Sequence, residues 1–204
     1  IYSDPEGVAG LRGVPRGLVA GAIIVHTRRL AEGSARLWNT HPIHYNWKGF
    51  ELWLAHNGVV SSDDLSKDLG MVKLSDTTDT YYLGEYVYRH VSGVDAGELV
   101  EALRGAARYT KTAMNTLAIL YDDKRLVASV TFYLAGDRLS NPLALKYYRI
   151  LKVGGGGSLA LMSSSLVTRL GRVEEVEELP PQRAFVVEME LEGLRATYGV
   201  HDLA

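Results

Sequence analysis

The chain has 204 residues, of which 47% are hydrophobic and 23% charged, and its formal net charge is −2 at pH 7. This balance is typical of a globular protein with a buried core, and it excludes a strongly basic nucleic-acid binder and a highly charged disordered chain. No apolar run approaches the roughly 20 residues of a membrane helix, and no secretory signal is recognisable, so we predict a cytoplasmic protein without nucleic-acid or membrane partners. The sequence contains no cysteine, which excludes disulfides and thiol chemistry by these residues themselves.

Strand signals open the chain. A continuous apolar run predicts a fully buried strand over residues 21–27. Residues 50–56 alternate, with Phe50, Leu52 and Leu54 on one face, which predicts a half-buried strand. The Asn57-Gly58 pair that follows is, taken by itself, typical of a type I′ hairpin turn.

Two helices are predicted in the middle of the chain. The first follows Asp76, because large side chains then recur at helical spacing; they are Leu83, Tyr86, Val87 and His90. The second begins at Asp95, where Glu98 three residues later completes a capping-box pattern. Its apolar stripe consists of Leu99, Ala102, Leu103 and Ala106.

The second half of the chain again reads as strands. A first hairpin is predicted from two apolar runs, residues 116–121 and 126–133. A second is predicted around the glycine run at 154–157, which we interpret as a loop between strands at 146–153 and 158–163. That run lacks the Lys-Ser/Thr of a phosphate-binding loop. A further strand face is formed by Phe185, Val187, Met189 and Leu191. Antiparallel strands with grouped helices predict the α+β class.

Four short polar groups crowd between residues 26 and 80. They are His26-Thr27-Arg28, Asn39-Thr40-His41-Pro42, His56-Asn57-Gly58 and the SDTTDT segment at 75–80. Strand ends and helix starts are where a rigid scaffold presents functional groups. Each group also has a plain structural explanation: a surface charge at Arg28, turns at the two asparagines, and helix capping by Asp76 and Asp79.

The functional interpretations of these groups are chemically complementary. Arg28 can bind a carboxylate through two parallel hydrogen bonds, and Asp79 can hold an ammonium group. The Asn57 amide and the Gly58 backbone N–H are two donors that can stabilise an oxyanion. Together, these four residues describe a site for an α-amino acid whose side-chain carbonyl is attacked.

In this order and spacing, the four motifs HTR, NTHP, LAHNG and SDTTDT resemble the glutaminase domain of class II glutamine amidotransferases, which are N-terminal-nucleophile hydrolases. The segment before HTR, which contains Asp4-Pro5, resembles the smaller stand-alone members of that family. The resemblance implies a four-layer αββα sandwich of antiparallel sheets, formed as one domain over residues 1–204 without its first strands. It implies hydrolysis of glutamine, or of a γ-glutamyl small molecule, to glutamate and ammonia, with no cofactor and no metal.

The resemblance also implies roles for single residues. Arg28 would bind the α-carboxylate of glutamine and Asp79 its α-amino group, while Asn57 and Gly58 would form the oxyanion hole. The remaining matching positions would bind substrate or shape the pocket; they are His26, Thr27, Asn39, His41 and Thr78. Where several family members have a threonine and a histidine after HTR, this chain has Ala31 and Glu32.

The main departure from the family is its nucleophile, an N-terminal cysteine whose own amino group serves as base. We therefore predict that this chain is inactive alone. The segment with the nucleophile has either been removed or is supplied by a partner chain. Assembly of the chain into a homo-oligomer is a further prediction. The alternative is a pseudoenzyme of the same fold that acts as a ligand-binding or interaction module. A third interpretation is a metal hydrolase built on His26, His41, His44 and His56, although no HExxH pattern is present.

Overall fold

The computed structural model describes residues 22–26, 36–155, 158–167, 175–193 and 195–204, which form two antiparallel sheets with helices. The strands are β1 (Ile43–Tyr45), β2 (Glu51–Val60), β3 (Thr110–Tyr121), β4 (Arg125–Phe132), β5 (Ile150–Gly155), β6 (Ser158–Ser163), β7 (Glu175–Glu178), β8 (Arg183–Glu190) and β9 (Arg195–Asp202). The helices are α1 (Ser62–Asp68), α2 (Asp79–His90), α3 (Ala96–Ala107), α4 (Pro142–Tyr148) and α5 (Ser164–Val167). The larger sheet has the order β1-β2-β3-β4-β8-β9 and the smaller one β6-β5-β7.

Strand β8 shows how the layers are stacked, because neighbouring side chains along it enter different cores. Ala184 and Val186 join the core under helices α2 and α3, whereas Phe185 joins a second core. That second core contains Ile150 of β5 and Leu179, which follows β7. The larger sheet therefore lies between a helix layer and the smaller sheet, and short helix α5 contacts β5 and β6. The predicted αββα sandwich is confirmed.

The two predicted helices are confirmed, with one change at the N-terminus of each. Asp95 caps α3, its Oδ1 accepting from the backbone N of Glu98 at 2.9 Å. The Glu98 carboxylate bonds Ser92 rather than closing a capping box on Asp95. Helix α2 has Thr78 as its N-cap residue, so Asp79 lies in the first turn and Asp76 lies outside the helix.

The predicted alternation along β2 is confirmed, but the predicted turn at its end is wrong. Leu52 and Leu54 are fully buried. Asn57 and Gly58 lie within β2, where Gly58 pairs with Met114 of β3, and the register shifts only between Gly58 and Val60. A long partner strand continues the ladder past the local turn signal. The hairpin occurs instead between β3 and β4, as the sequence predicted.

Two strand predictions need correction. The segment 22–26 is not a strand, and its side chains Ile23 and Val25 are 61% and 54% exposed. An apolar run forms a strand only where a neighbouring strand pairs with its backbone N–H and C=O groups. Residues 146–148 belong to α4, because Asn141 caps that helix and Pro142 occupies its first turn. The β5–β6 pairing confirms the second hairpin, although the tip of its glycine run, residues 156–157, lies outside the described residues.

Within the described ranges, no helix is long and apolar enough to cross a membrane.

Candidate functional site

A hydrogen bond from a backbone N–H to a carboxylate joins the end of β2 to the start of α2. The backbone N–H of Val60 donates to Oδ2 of Asp79 at 2.9 Å. Asp79 lies in the first turn of α2, where a carboxylate faces the positive end of the helix dipole. This bond brings Asp79 next to the strand segment that carries Asn57 and Gly58, so the structure brings together three of the residues that the sequence assigned to one site.

Gly58 occupies a position that only glycine fits without a shift of the backbone. Its φ is +138°, and a Cβ atom there would lie 1.9 Å from the carbonyl oxygen of Ala113 on the adjacent strand. The register irregularity that follows turns the strand out of its regular ladder. The neighbouring Asn57 is exposed. The end of β2 thus presents an exposed amide side chain beside a backbone that carries no side chain.

A buried hydrogen-bond chain lies behind this strand end. His56, only 4% exposed, approaches the Thr80 hydroxyl through Nδ1 and the Ala113 carbonyl oxygen through Nε2, each at 3.2 Å. The hydroxyl of Thr80 lies 3.4 Å from Oδ1 of Asp79. The imidazole therefore connects the backbone facing Gly58 with the first turn of α2.

The loop before α2 is tied to the segment around residues 38–39. The Asn39 side chain donates to the carbonyl of Asp76 at 3.2 Å and accepts from the Thr78 N–H at 3.3 Å. The Trp38 indole N–H donates to the same Asp76 carbonyl at 3.3 Å. A pocket of about 440 Å³ lies against this junction; its lining residues are Trp38, Leu74, Ser75, Asp76, Thr77 and Tyr81.

Helix α2 is held against β1 by Tyr45. The Tyr45 hydroxyl donates to the carbonyl of Tyr81 at 2.8 Å, and the ring packs directly on Gly84, where any side chain would collide with it. Burial raises the pKa of Tyr45 well above its ordinary value, and the nearby Glu85 carboxylate raises it further. The phenol is therefore a neutral anchor that fixes the helix carrying Asp79.

The other predicted site residues fall into three groups. His26 and His41 are brought together, with ring centroids 4.8 Å apart, and His41 is buried. Thr78 is also buried, at the N-cap of α2. Thr27 and Arg28 lie outside the described residues, so their assignment stays a prediction.

The histidines considered for a metal site lie in different environments. His44 stacks on Trp53 with a centroid separation of 3.7 Å, and its Nε2 is 3.3 Å from the Glu51 carboxylate. His56 is instead part of the buried chain to Thr80. In the described part of the chain, no three His, Asp or Glu side chains gather as metal ligands.

Thr80 and the backbone of Ala113 were not indicated as site residues by the sequence. Thr80 stands in the SDTTDT motif, but its contact with His56 spans 24 positions, and that between His56 and Ala113 spans 57. The packing of α2 on β2 brings Thr80 to His56, and the pairing of β2 with β3 brings the Ala113 carbonyl to it. The sequence signal for Thr80 is its place in the SDTTDT motif, directly after the candidate aspartate.

Comparison with known proteins gives an independent result. The family model for class II glutamine amidotransferases matches residues 11–131. A solved structure described as the allosteric regulatory enzyme of purine biosynthesis is 17% identical, with a TM-score of 0.57, over 88% of this chain and 34% of that one. A glutamine phosphoribosylpyrophosphate amidotransferase from B. subtilis, complexed with ADP and GMP, is 14% identical, with a TM-score of 0.54 and the same coverages. Comparison with curated protein sequences gave no match.

The chain thus spans about one third of the length of the solved structures it matches. At these identities the structural likeness establishes the fold, that of the N-terminal-nucleophile hydrolases. The family match covers more than half of the 204 residues. The chain belongs to the class II glutamine amidotransferases.

Proposed function

We propose that this domain binds glutamine, or the γ-glutamyl part of a small amide, between the end of β2 and the start of α2. The observation that carries the proposal is the 2.9 Å hydrogen bond from Val60 N–H to Asp79 Oδ2. It places a carboxylate beside the strand segment with two potential oxyanion donors. A site with these groups complements a ligand that has an ammonium group at one end and a polarised carbonyl at the other.

In this proposal, the Asp79 carboxylate binds the α-ammonium group of the ligand. An ionised carboxylate offers about four acceptor positions, and the described contacts at Asp79 are one bond from Val60 and a long approach of Thr80. The remaining acceptor positions support binding of an ammonium group. A charge-assisted bond of this kind contributes about 1.5–3 kcal/mol.

In this proposal, Asn57 and Gly58 donate hydrogen bonds to the oxyanion that forms when the side-chain amide of the ligand is attacked. The exposed Asn57 amide is a donor, and the absence of a side chain at Gly58 lets a ligand approach its backbone N–H closely. Donors of this kind act on charge that develops during attack on the amide, and loss of one costs roughly 100- to 1,000-fold in kcat in acyl-transfer enzymes. The pair is therefore expected to matter more for hydrolysis than for ligand affinity.

Five further residues complete the proposed site on the strength of their motif positions. Arg28 is assigned the α-carboxylate, so we expect Arg28→Ala to abolish glutamate binding. His26, Thr27, His41 and Thr78 are assigned to binding substrate or to the shape of the pocket. The contact between His26 and His41, and the position of Thr78 directly before Asp79, support this grouping.

Hydrolysis by the mechanism of this family needs an N-terminal cysteine, and these 204 residues include no cysteine. We propose that the chain as printed binds the ligand without turning it over. Amide hydrolysis then belongs to a protein in which the cysteine is supplied from outside these residues. The absence of cysteine equally favours a second candidate, a ligand-binding module without hydrolysis. A cysteine codon after the start codon upstream of Ile1 would support the first function, and a start codon directly before Ile1 the second.

Calorimetric titration with glutamate tests the binding site. Asp79→Asn keeps an oxygen that can accept from Val60 but removes the negative charge, so we expect a folded protein whose Kd is raised at least tenfold. Asp63→Asn is the matched control, because Asp63 also lies in the first turn of a helix, is exposed and pairs with Lys73. The proposal fails if Asp79→Asn binds glutamate as tightly as the unchanged chain. Release of ammonia from glutamine by the 204-residue chain would contradict the predicted inactivity.

A further inference from the structure

We propose that His56 is a positioning residue that sets both halves of the candidate site through its two ring nitrogens. On one side it fixes the carbonyl of Ala113 against Gly58, and on the other it directs the hydroxyl hydrogen of Thr80 away from Asp79. This inference rests on the proposed function, since it assigns His56 a role in preparing Asp79 for an ammonium ligand.

The protonation pattern of the chain follows from its acceptors. The carbonyl of Ala113 can only accept, so Nε2 of His56 carries the hydrogen at this 3.2 Å contact. In the neutral ring Nδ1 is then an acceptor, and the Thr80 hydroxyl is the donor to it at 3.2 Å. A hydroxyl has one hydrogen, and Nδ1 is nearer to Thr80 Oγ1 than Asp79 Oδ1 is, at 3.4 Å.

The direction of that single hydrogen affects the site. While it is donated to His56, Oδ1 of Asp79 keeps its lone pairs for a ligand ammonium group. If the imidazole acceptor is removed, the hydroxyl turns to Oδ1 and competes with the ligand for it. Thr80 is 1% exposed and His56 4% exposed, so water does not readily replace the missing partner.

The second ring nitrogen acts on the other half of the site. The Ala113 oxygen lies so close to Gly58 that a Cβ atom there would be 1.9 Å from it. A movement of this carbonyl therefore changes the surroundings of the Gly58 peptide. The bond from Nε2 holds the carbonyl in place from a side chain that is itself part of β2.

Three variants separate these effects. His56→Phe removes both bonds and retains a ring, and we expect it to raise the Kd for glutamate about tenfold. Thr80→Val removes the hydroxyl and keeps the shape, so it provides the background in which the effect of His56→Phe is measured without a competing hydrogen. The double variant lacks the competing hydrogen, so it recovers affinity to within about threefold of the unchanged chain. A purely structural role for His56 predicts no such rescue.

A conservative variant keeps the proposal testable if His56→Phe does not fold. His56→Asn retains an acceptor near the Nδ1 position, so we expect nearly unchanged affinity together with a shifted Gly58 amide resonance in a ¹H–¹⁵N spectrum. A tenfold loss of affinity in His56→Asn, or the absence of rescue in the double variant, would overturn the proposal.

The amide resonance of Val60 separates this inference from the proposed function, because it reports the bond to Asp79 without any ligand. If the unchanged chain binds no glutamate, the proposed function fails. The positioning role then still requires the Val60 resonance to move in His56→Phe and to return in the double variant, and an unmoved resonance refutes it.

Discussion

Gly58→Ala is expected to destabilise the domain by about 2–6 kcal/mol. A non-glycine residue held at an unfavourable φ such as +138° costs about 1–3 kcal/mol. The added Cβ would also lie 1.9 Å from the Ala113 oxygen and 2.5 Å from its carbonyl carbon, both backbone atoms. Relief of such overpacking typically costs a further 1–3 kcal/mol. This sum is a large share of the roughly 5–15 kcal/mol by which native domains are stable.

Urea denaturation measures the change, and Gly70→Ala is the matched control. Gly70 also has a positive φ, +63°, but no heavy atom would lie within 4 Å of its Cβ. The control should therefore lose only the backbone contribution, about 1–2 kcal/mol. The difference between the two variants contains the collision with β3 and the extra backbone cost of a φ of +138° over one of +63°. Equal losses of unfolding free energy in Gly58→Ala and Gly70→Ala would refute the close approach of the two strands.

Two further predictions concern the anchoring of α2. Gly84→Ala places a Cβ 2.4 Å from the Tyr45 hydroxyl oxygen and should lower the unfolding free energy by about 1–3 kcal/mol. Gly93→Ala is the control, because the space around Gly93 is open, and it should change the unfolding free energy by less than about 0.5 kcal/mol. Similar losses in both variants would contradict the packing of Tyr45 on Gly84. Because burial raises the pKa of Tyr45 in the fold, its stabilising contribution is complete below the unfolded phenol pKa of about 10 and is lost as pH rises through the folded value. In Tyr45→Phe, the unfolding free energy should decline less steeply above about pH 10, by up to about 1.4 kcal/mol per pH unit. Urea denaturation at a series of alkaline pH values measures this slope of unfolding free energy against pH. The same slope in both proteins would contradict a buried neutral phenol.

Local signals predicted those elements whose stabilising contacts are themselves local. Helix α3 follows from Asp95 and the apolar stripe, and the β3–β4 hairpin from two apolar runs around three polar residues. Residues 57–58 gave an equally strong local signal for a turn, yet β2 continues through them because β3 supplies a partner for each. The helix at 142–148 differs from the predicted strand because the capping Asn141 and Pro142 start a helix that outweighs the β-forming residues after it.

The sequence predicts which residues form the candidate site, but not the hydrogen bonds that hold them together. Asn57, Gly58 and Asp79 were chosen from motif order and chemistry, and the structure joins them through Val60. The buried chain through His56 and Ala113 depends on a strand pairing across 57 positions, which no spacing rule contains. Residue types identify the chemistry of such a site, whereas the long-range register determines which backbone groups support it.

Chemical-shift mapping of a ¹⁵N-labelled chain with glutamate tests the central claim most directly. The account predicts that the largest changes during the titration occur at the amides of Asn57, Gly58, Val60 and Thr80, around the junction of β2 and α2. The pocket of about 560 Å³ between the end of α2 and the start of α3, which includes Lys48 and Glu101, serves as the internal reference and should not respond. Changes confined to that second pocket, or none at saturating glutamate, would contradict an amino-acid site at Asp79.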